Sequence, residues 1–160
     1  MNIKIVAVGK IKEKFYRDAI DEYIKRMGAY NNIEIIEVAD IMAPESLSEK
    51  ELEEIKDKEG EKILAKIKDD AFLVTLEILG KAMTSEDFAD FIKDEMLIGG
   101  GRDLVFVIGG SNGLSKNVTG RANKKLSFGK FTYPHQLMRV ILSEQIYRAF
   151  RIINNHPYHK

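Results

Sequence analysis

The chain has no cysteine among its 160 residues. That excludes disulfides, thiolate metal sites and cysteine nucleophiles, and it fits a reducing compartment. Long apolar runs are missing too: no stretch approaches membrane-spanning length. The opening stretch MNIKIVAVGK has neither a long apolar h-region nor a cleavage-site pattern. The expectation is a soluble, cytoplasmic protein with no membrane partner. Two nucleotide signatures are absent as well. Without G-x-x-x-x-G-K-[ST] there is no phosphate loop, and without G-x-G-x-x-G after the first strand there is no dinucleotide fingerprint. His156 and His159 are spaced i, i+3, but no third ligand accompanies them, so no metal is expected.

Acids are nearly missing from the last third. Residues 111–160 hold nine Lys/Arg and one acid, Glu144, a net +8 that the first 110 residues balance with −8. All three histidines, His135, His156 and His159, lie on the basic side. Such a separation points to a surface facing a polyanion, although charges far apart in sequence can interleave in space.

What is present reads as alternating strands and helices. IKIVAVG (3–9), IEIIEVAD (33–40), AFLVTLEI (71–78) and DLVFVIGG (103–110) are strand-like apolar runs. Phe15, Ala19, Tyr23 and Met27, with Ile20 and Ile24, mark one face of a first helix that Gly28 ends. Ser48, three residues before Glu51, starts a charged helix over about 49–67. LGKAM turns the chain, and Ser85 caps a helix over 86–97. Residues 111–125 form a short helix or loop, LSFGKFTY is strand-like with a break at Gly129, and Pro134 opens a last helix. The pattern predicts an α/β domain over residues 1–160, with a mainly parallel sheet and helices on both faces.

In such sheets ligands gather beyond the C-terminal strand ends. Three ends invite one: Gly80-Lys81, the glycines at 109, 110 and 113, and LSFGKFTYPHQ. Each also suits a plain strand-to-helix turn. On the last helix Glu144, Tyr147, Arg148 and Arg151 share a face. They make either an ion-paired surface or an arginine–aromatic surface for phosphates and bases. The ending NNHPYHK is either a frayed stub or an ordered continuation of that surface.

Three separated motifs occur in order: T-x-P-H-Q at 132–136, E-Q-x-Y-R-A-F at 144–150 and the final Y-H-K. With FVIGGSNGLS and LEILGKAMTSEDFA, they resemble the small SPOUT-superfamily methyltransferases that act on large-subunit ribosomal RNA. The resemblance covers essentially the whole chain. It implies a deep trefoil knot in the C-terminal half, an exception to the usual rule against knots. It also implies a homodimer and S-adenosylmethionine as methyl donor, with no metal. The acceptor it implies is N3 of a pseudouridine in 23S rRNA, in a helix at the subunit interface of the assembled 70S ribosome.

By position, the resemblance places the donor at Leu76, Gly109 and the loop Phe128, Gly129, Lys130, Phe131, Thr132 and Tyr133. His159, Glu144, His156 and Arg148 are the candidates for moving a proton or stabilising the anionic base, His159 first because histidine titrates near neutrality. His135, Arg139, Arg151, Asn155 and Tyr158 are the candidates for holding the RNA. The tail of one subunit is expected to complete the pocket of the other. A non-catalytic RNA- or ribosome-binding module is the competing reading, and a small kinase is disfavoured by the missing phosphate loop.

Overall fold

A computed structural model describes all 160 residues. Five strands form one sheet: β1 (Ile3–Val8), β2 (Ile33–Val38), β3 (Phe72–Ala82), β4 (Leu104–Ile108) and β5 (Lys124–Ser127). Their order is β2-β1-β4-β3-β5 and every pairing is parallel. Five helices cover it: α1 (Lys14–Met27), α2 (Glu49–Leu64), α3 (Ser85–Ile98), α4 (Lys116–Arg121) and α5 (His135–Ile153).

Alternation along the strands divides the core in two. Ile3, Ile5, Ala7, Val74, Leu104, Phe106 and Ile108 face α1, α3 and α5, where Met27, Phe88, Ile92, Leu142 and Ile146 meet them. Val6, Val8, Leu73, Val105 and Val107 face the other way, onto Ile63 of α2 and Val118 of α4. Burial on both faces explains why these strands read as unbroken apolar runs. No helix is long and apolar enough to cross a membrane.

Several local expectations change. LGKAM does not simply turn the chain. Residues 77–80 bulge out of the ladder, and β3 rejoins β5 at Lys81–Leu126 and Ala82–Ser127. Gly80 permits this because a Cβ there would come 2.8 Å from the Lys125 carbonyl carbon. Thr84, not Ser85, caps α3: its hydroxyl accepts from the Asp87 N–H at 3.0 Å, and Asp87 accepts in return from the Thr84 N–H. The Ser85 hydroxyl donates instead to Gln145 of α5 at 2.8 Å. Phe15 leaves the apolar face of α1, stays 65% exposed and leans on Tyr16. α2 ends at Leu64, about a turn short of the expected boundary.

At the N-terminal edge of the sheet, Asp103 is buried and meets Lys4 Nζ at 2.9 Å and Asn2 Nδ2 at 3.2 Å. The Lys4 hydrogen bond, with help from Asn2 and Lys68, outweighs burial and holds this carboxyl below its ordinary value of 3.8. A depressed carboxyl contributes stability above that ordinary value and loses it as pH falls through the folded value. Asp103→Asn is therefore expected to cost about 1–3 kcal/mol at pH 7. The gap to wild type should close once the pH falls well below 3.8, read from urea midpoints across the acid limb.

Candidate functional site: a strand-end cavity and a folded-back tail

The C-terminal ends of β3, β4 and β5 open onto a cavity of about 840 Å³. That is room for a small cofactor. Leu76, Gly109, Phe128, Gly129, Phe131, Thr132 and Tyr133 line it, as does His135. Lys130 does not line it and is exposed. Sequence reasoning missed Glu77, Ile108, Leu114, Leu126 and Met138, which also line the cavity. Glu77 was missed because AFLVTLEI reads as a regular strand through Ile78, which hides the bulge at 77–80.

Local hydrogen bonds set the shape of the mouth. The Ser127 hydroxyl donates to the Ile78 carbonyl at 2.9 Å and accepts from the Gly129 N–H at 3.1 Å, so it ties β5 to the β3 bulge. Gly129 sits at φ +108°, which only glycine adopts freely. His135, a candidate for holding the RNA, lies on the cavity wall at the start of α5. Burial, with the neighbouring Arg139 charge, pushes its imidazole below the ordinary value of 6.5, so it is neutral at pH 7.

The last residues are not a frayed stub. Asn155 takes a positive φ of 54° and the chain folds back along α5. The Arg151 guanidinium donates to the Pro157 carbonyl at 2.6 Å and to the Tyr30 hydroxyl at 2.9 Å. Arg151 can only donate, so the Tyr30 oxygen accepts from it and the Tyr30 hydroxyl donates a hydrogen bond to His156 Nδ1, 2.5 Å away. The Tyr158 ring packs edge-on against Tyr147, centroids 4.9 Å apart, beneath the Arg148 guanidinium. Its hydroxyl donates to Glu144 at 2.9 Å, and burial together with that bond pushes the phenol up to about 12. Tyr158 is thus a fixed donor at neutral pH.

Glu144, Arg148 and His159 form one relay. Glu144 Oε1 accepts from Arg148 Nε and Nη2 and from Tyr158, while Oε2 accepts from Gln145. Arg148 Nη1 faces His159 Nδ1 at 3.1 Å, and His159 Nε2 faces Glu86 at 2.8 Å. Because Arg148 has no acceptor, Nδ1 must accept and Nε2 must carry the proton. Neither His159 nitrogen is free in this arrangement, and Glu144 Oε1 has no lone pair to spare. His156 keeps its second nitrogen free and is exposed.

Arg139 stands apart from the group with which it was expected. It is 1% exposed, donates to the Val8 and Gly9 carbonyls at 3.1 and 2.6 Å, and meets Glu37 at 2.9 Å. It holds the end of β1 and cannot reach a phosphate. The basic third is used internally elsewhere too: Arg121 donates to the carbonyls of Asp69 and Ala71. Lys116, Lys125, Lys130 and Lys160 remain exposed. No group of three or more His, Asp or Glu is placed to hold a metal ion.

A parallel sheet with a cavity at three strand ends and a glycine-rich mouth is the frame of a nucleotide- or cofactor-using α/β protein. A family model described as "Predicted SPOUT methyltransferase" matches residues 1–159, and the chain belongs to this family. Across all 160 residues, the full length of both chains, it is 56% identical to the ribosomal RNA large subunit methyltransferase H of Clostridium beijerinckii. It is 59% identical, again over both full lengths, to a protein of Methanococcus maripaludis that carries that name provisionally. A solved structure from Legionella pneumophila, a provisionally assigned methyltransferase with the cofactor SAM bound, aligns with a TM-score of 0.47 and 10% identity. The alignment covers 93% of this chain and 66% of that one.

Proposed function

We propose that this chain, as one SPOUT unit over residues 1–160 with the C-terminal trefoil knot, methylates large-subunit ribosomal RNA using S-adenosylmethionine. The acceptor we assign is N3 of a pseudouridine in 23S rRNA, in a helix at the subunit interface of the assembled 70S ribosome in the cytoplasm. The observation that carries the reading is the cavity that joins Leu76, Gly109 and the Phe128–Tyr133 segment at one end of the sheet. Full-length identity to the Clostridium beijerinckii protein supports it.

When bound, S-adenosylmethionine supplies an electrophilic methyl group on a sulfonium. The cavity residues fit it: Phe128, Phe131 and Leu76 offer apolar walls for an adenine, and the Gly109 and Gly129 segments let its polar parts approach the backbone. The chain aligns donor and acceptor, a proximity effect. In the transfer the carbon–sulfur bond breaks as the carbon–N3 bond forms, and the N3 proton must leave. Arg148, held by Glu144 and stacked on Tyr158, is the cation that stabilises the anionic base. Glu144 acts as a positioning residue. With Nδ1 accepting from Tyr30, the free His156 Nε2 carries the ring proton and donates, so the N3 proton leaves to water, with His156 as a hydrogen-bond donor at the acceptor base. Arg151, Asn155 and Tyr158 hold the RNA.

The reading includes a homodimer with a shared site. Met138, the cavity residue furthest along α5, and Arg148 in the tail group lie 10 residues apart. That is about 15 Å along the axis, a gap that the tail of a second subunit would close. The test is calorimetry with S-adenosylmethionine, then methyl transfer to 70S ribosomes that carry or lack the pseudouridine. Binding with transfer to the pseudouridine-bearing ribosomes alone is the expected result. Salt-sensitive ribosome binding without donor binding would reject it. Mixed dimers, one subunit lacking the tail and the other unable to bind donor, should recover activity if the site is shared.

A further inference from the structure

Glu77 is the one acid on the cavity wall, and its position has a purpose that a wall of apolar and neutral groups does not supply. It follows Thr75, which is fully buried on β3. The Thr75 hydroxyl donates to Glu77 Oε2 at 2.6 Å, so the carboxylate is held at the strand end instead of swinging out into water. No lysine or arginine pairs with it. The one basic side chain on the wall, His135, is held below its ordinary value by burial and by Arg139, which disfavours its charged form. The cavity therefore carries one fixed negative charge without a partner. A carboxylate fixed on the wall without a basic partner attracts a cationic ligand through Coulomb interaction.

We propose that Glu77 selects the ligand by charge: it favours the sulfonium donor over the neutral thioether left after transfer. The inference rests on the donor assignment above and goes beyond it. Donor and product differ by one methyl group and one positive charge at sulfur, while adenine, ribose and the α-amino acid are common to both. Contacts to the common parts cannot distinguish them. A fixed anion can, through Coulomb attraction that only the donor feels. It then helps the spent cofactor leave, and Thr75 is the residue that positions it.

Calorimetry with three ligands tests this on the wild-type homodimer, Glu77→Gln and Thr75→Val. The ligands are S-adenosylmethionine, S-adenosylhomocysteine and sinefungin, which carries an ammonium in place of the sulfonium. Glu77→Gln is expected to weaken both cationic ligands by about tenfold and the neutral thioether by less than about threefold, at low salt. Thr75→Val should show the same ordering with smaller losses, because it frees the carboxylate without removing it. It serves alone if Glu77→Gln does not fold. Equal losses for all three ligands would assign Glu77 to ribose or ammonium binding and overturn charge selection. Unchanged affinities would overturn it as well. A wild-type protein that binds none of the three would overturn the donor reading itself, and the selection with it.

Discussion

Deleting His156–Lys160 is expected to lower single-turnover methyl transfer to 70S ribosomes by about three orders of magnitude while leaving donor affinity within about threefold. The two readouts separate because the two sites do. No residue beyond Met138 lines the donor cavity, so the deletion removes nothing from its wall. It does remove the Tyr158 ring from beneath Arg148, one of the three donors to Glu144 Oε1, and the His159 bridge from Arg148 to Glu86. Arg148 would keep its contacts to Glu144 but lose the ring and the imidazole that fix its outer face. A preorganised cation is worth most when it need not reorient as charge develops, which is why a loss of packing becomes a loss of rate. The cost in stability should be small, about 1–2 kcal/mol, since the tail covers Tyr147 but fills no core position.

Point variants sharpen the same prediction. Arg148→Ala should approach the deletion, and Arg148→Lys should recover little, because an ammonium cannot keep the forked contact to Glu144. His159→Ala should cost less than Arg148→Ala, since both ring nitrogens already have protein partners. A deletion variant that transfers methyl within tenfold of wild type would remove the tail from the acceptor site.

Much of this architecture was legible in the sequence because buried parallel strands have no polar face to disguise them. IKIVAV and LVFVI announced β1 and β4 directly, and the glycine segments after β4 and β5 do meet at one cavity, joined there by residues 76–79 and not by Gly80-Lys81. The misreadings share a cause: a residue with two local meanings is settled only by its neighbours in space. Gly80-Lys81 reads as a turn, but β5 lies close enough to recapture the strand after four residues. Ser85 caps well in isolation, yet Thr84 has Asp87 at the reciprocal spacing and Gln145 is waiting for the serine. Phe15 has the right period for the α1 face but lies a turn before Ile20, where the sheet no longer reaches it. The charge asymmetry was read as a surface facing a polyanion; Arg121 and Arg139 are spent on backbone carbonyls within the protein, while Lys116, Lys125, Lys130 and Lys160 stay exposed. For Arg139 a signal existed: it falls on the stripe of Leu142, Ser143, Ile146 and Phe150, the buried face of α5.

That stripe carries the second large prediction. Arg139→Gln is expected to destabilise the protein by about 3–5 kcal/mol, a large share of a typical domain's stability. The Val8 and Gly9 carbonyls would lose their donors at the buried end of β1, where water cannot replace them. Glu37 would lose its charge partner, but at 40% exposed it can turn to solvent. The contributions are therefore unequal, and Glu37→Gln should cost only about 1 kcal/mol because both carbonyl contacts survive it. Urea midpoints should fall by about 2 M for Arg139→Gln if the slope is near 2 kcal/mol per molar. A second readout distinguishes loss of the charge from loss of packing. Arg139 is one of the two causes that hold the His135 imidazole low, after burial itself. Removing the cation should move the His135 titration upward towards 6.5, seen as a shift of its ring carbon-bound protons by NMR. A histidine held low contributes stability when neutral and loses it as acid charges the ring, so relieving it also flattens the variant's stability profile below that value. If Arg139→Gln and Glu37→Gln fall equally, the ion pair to β2 and not the carbonyl clamp on β1 anchors α5 to the sheet.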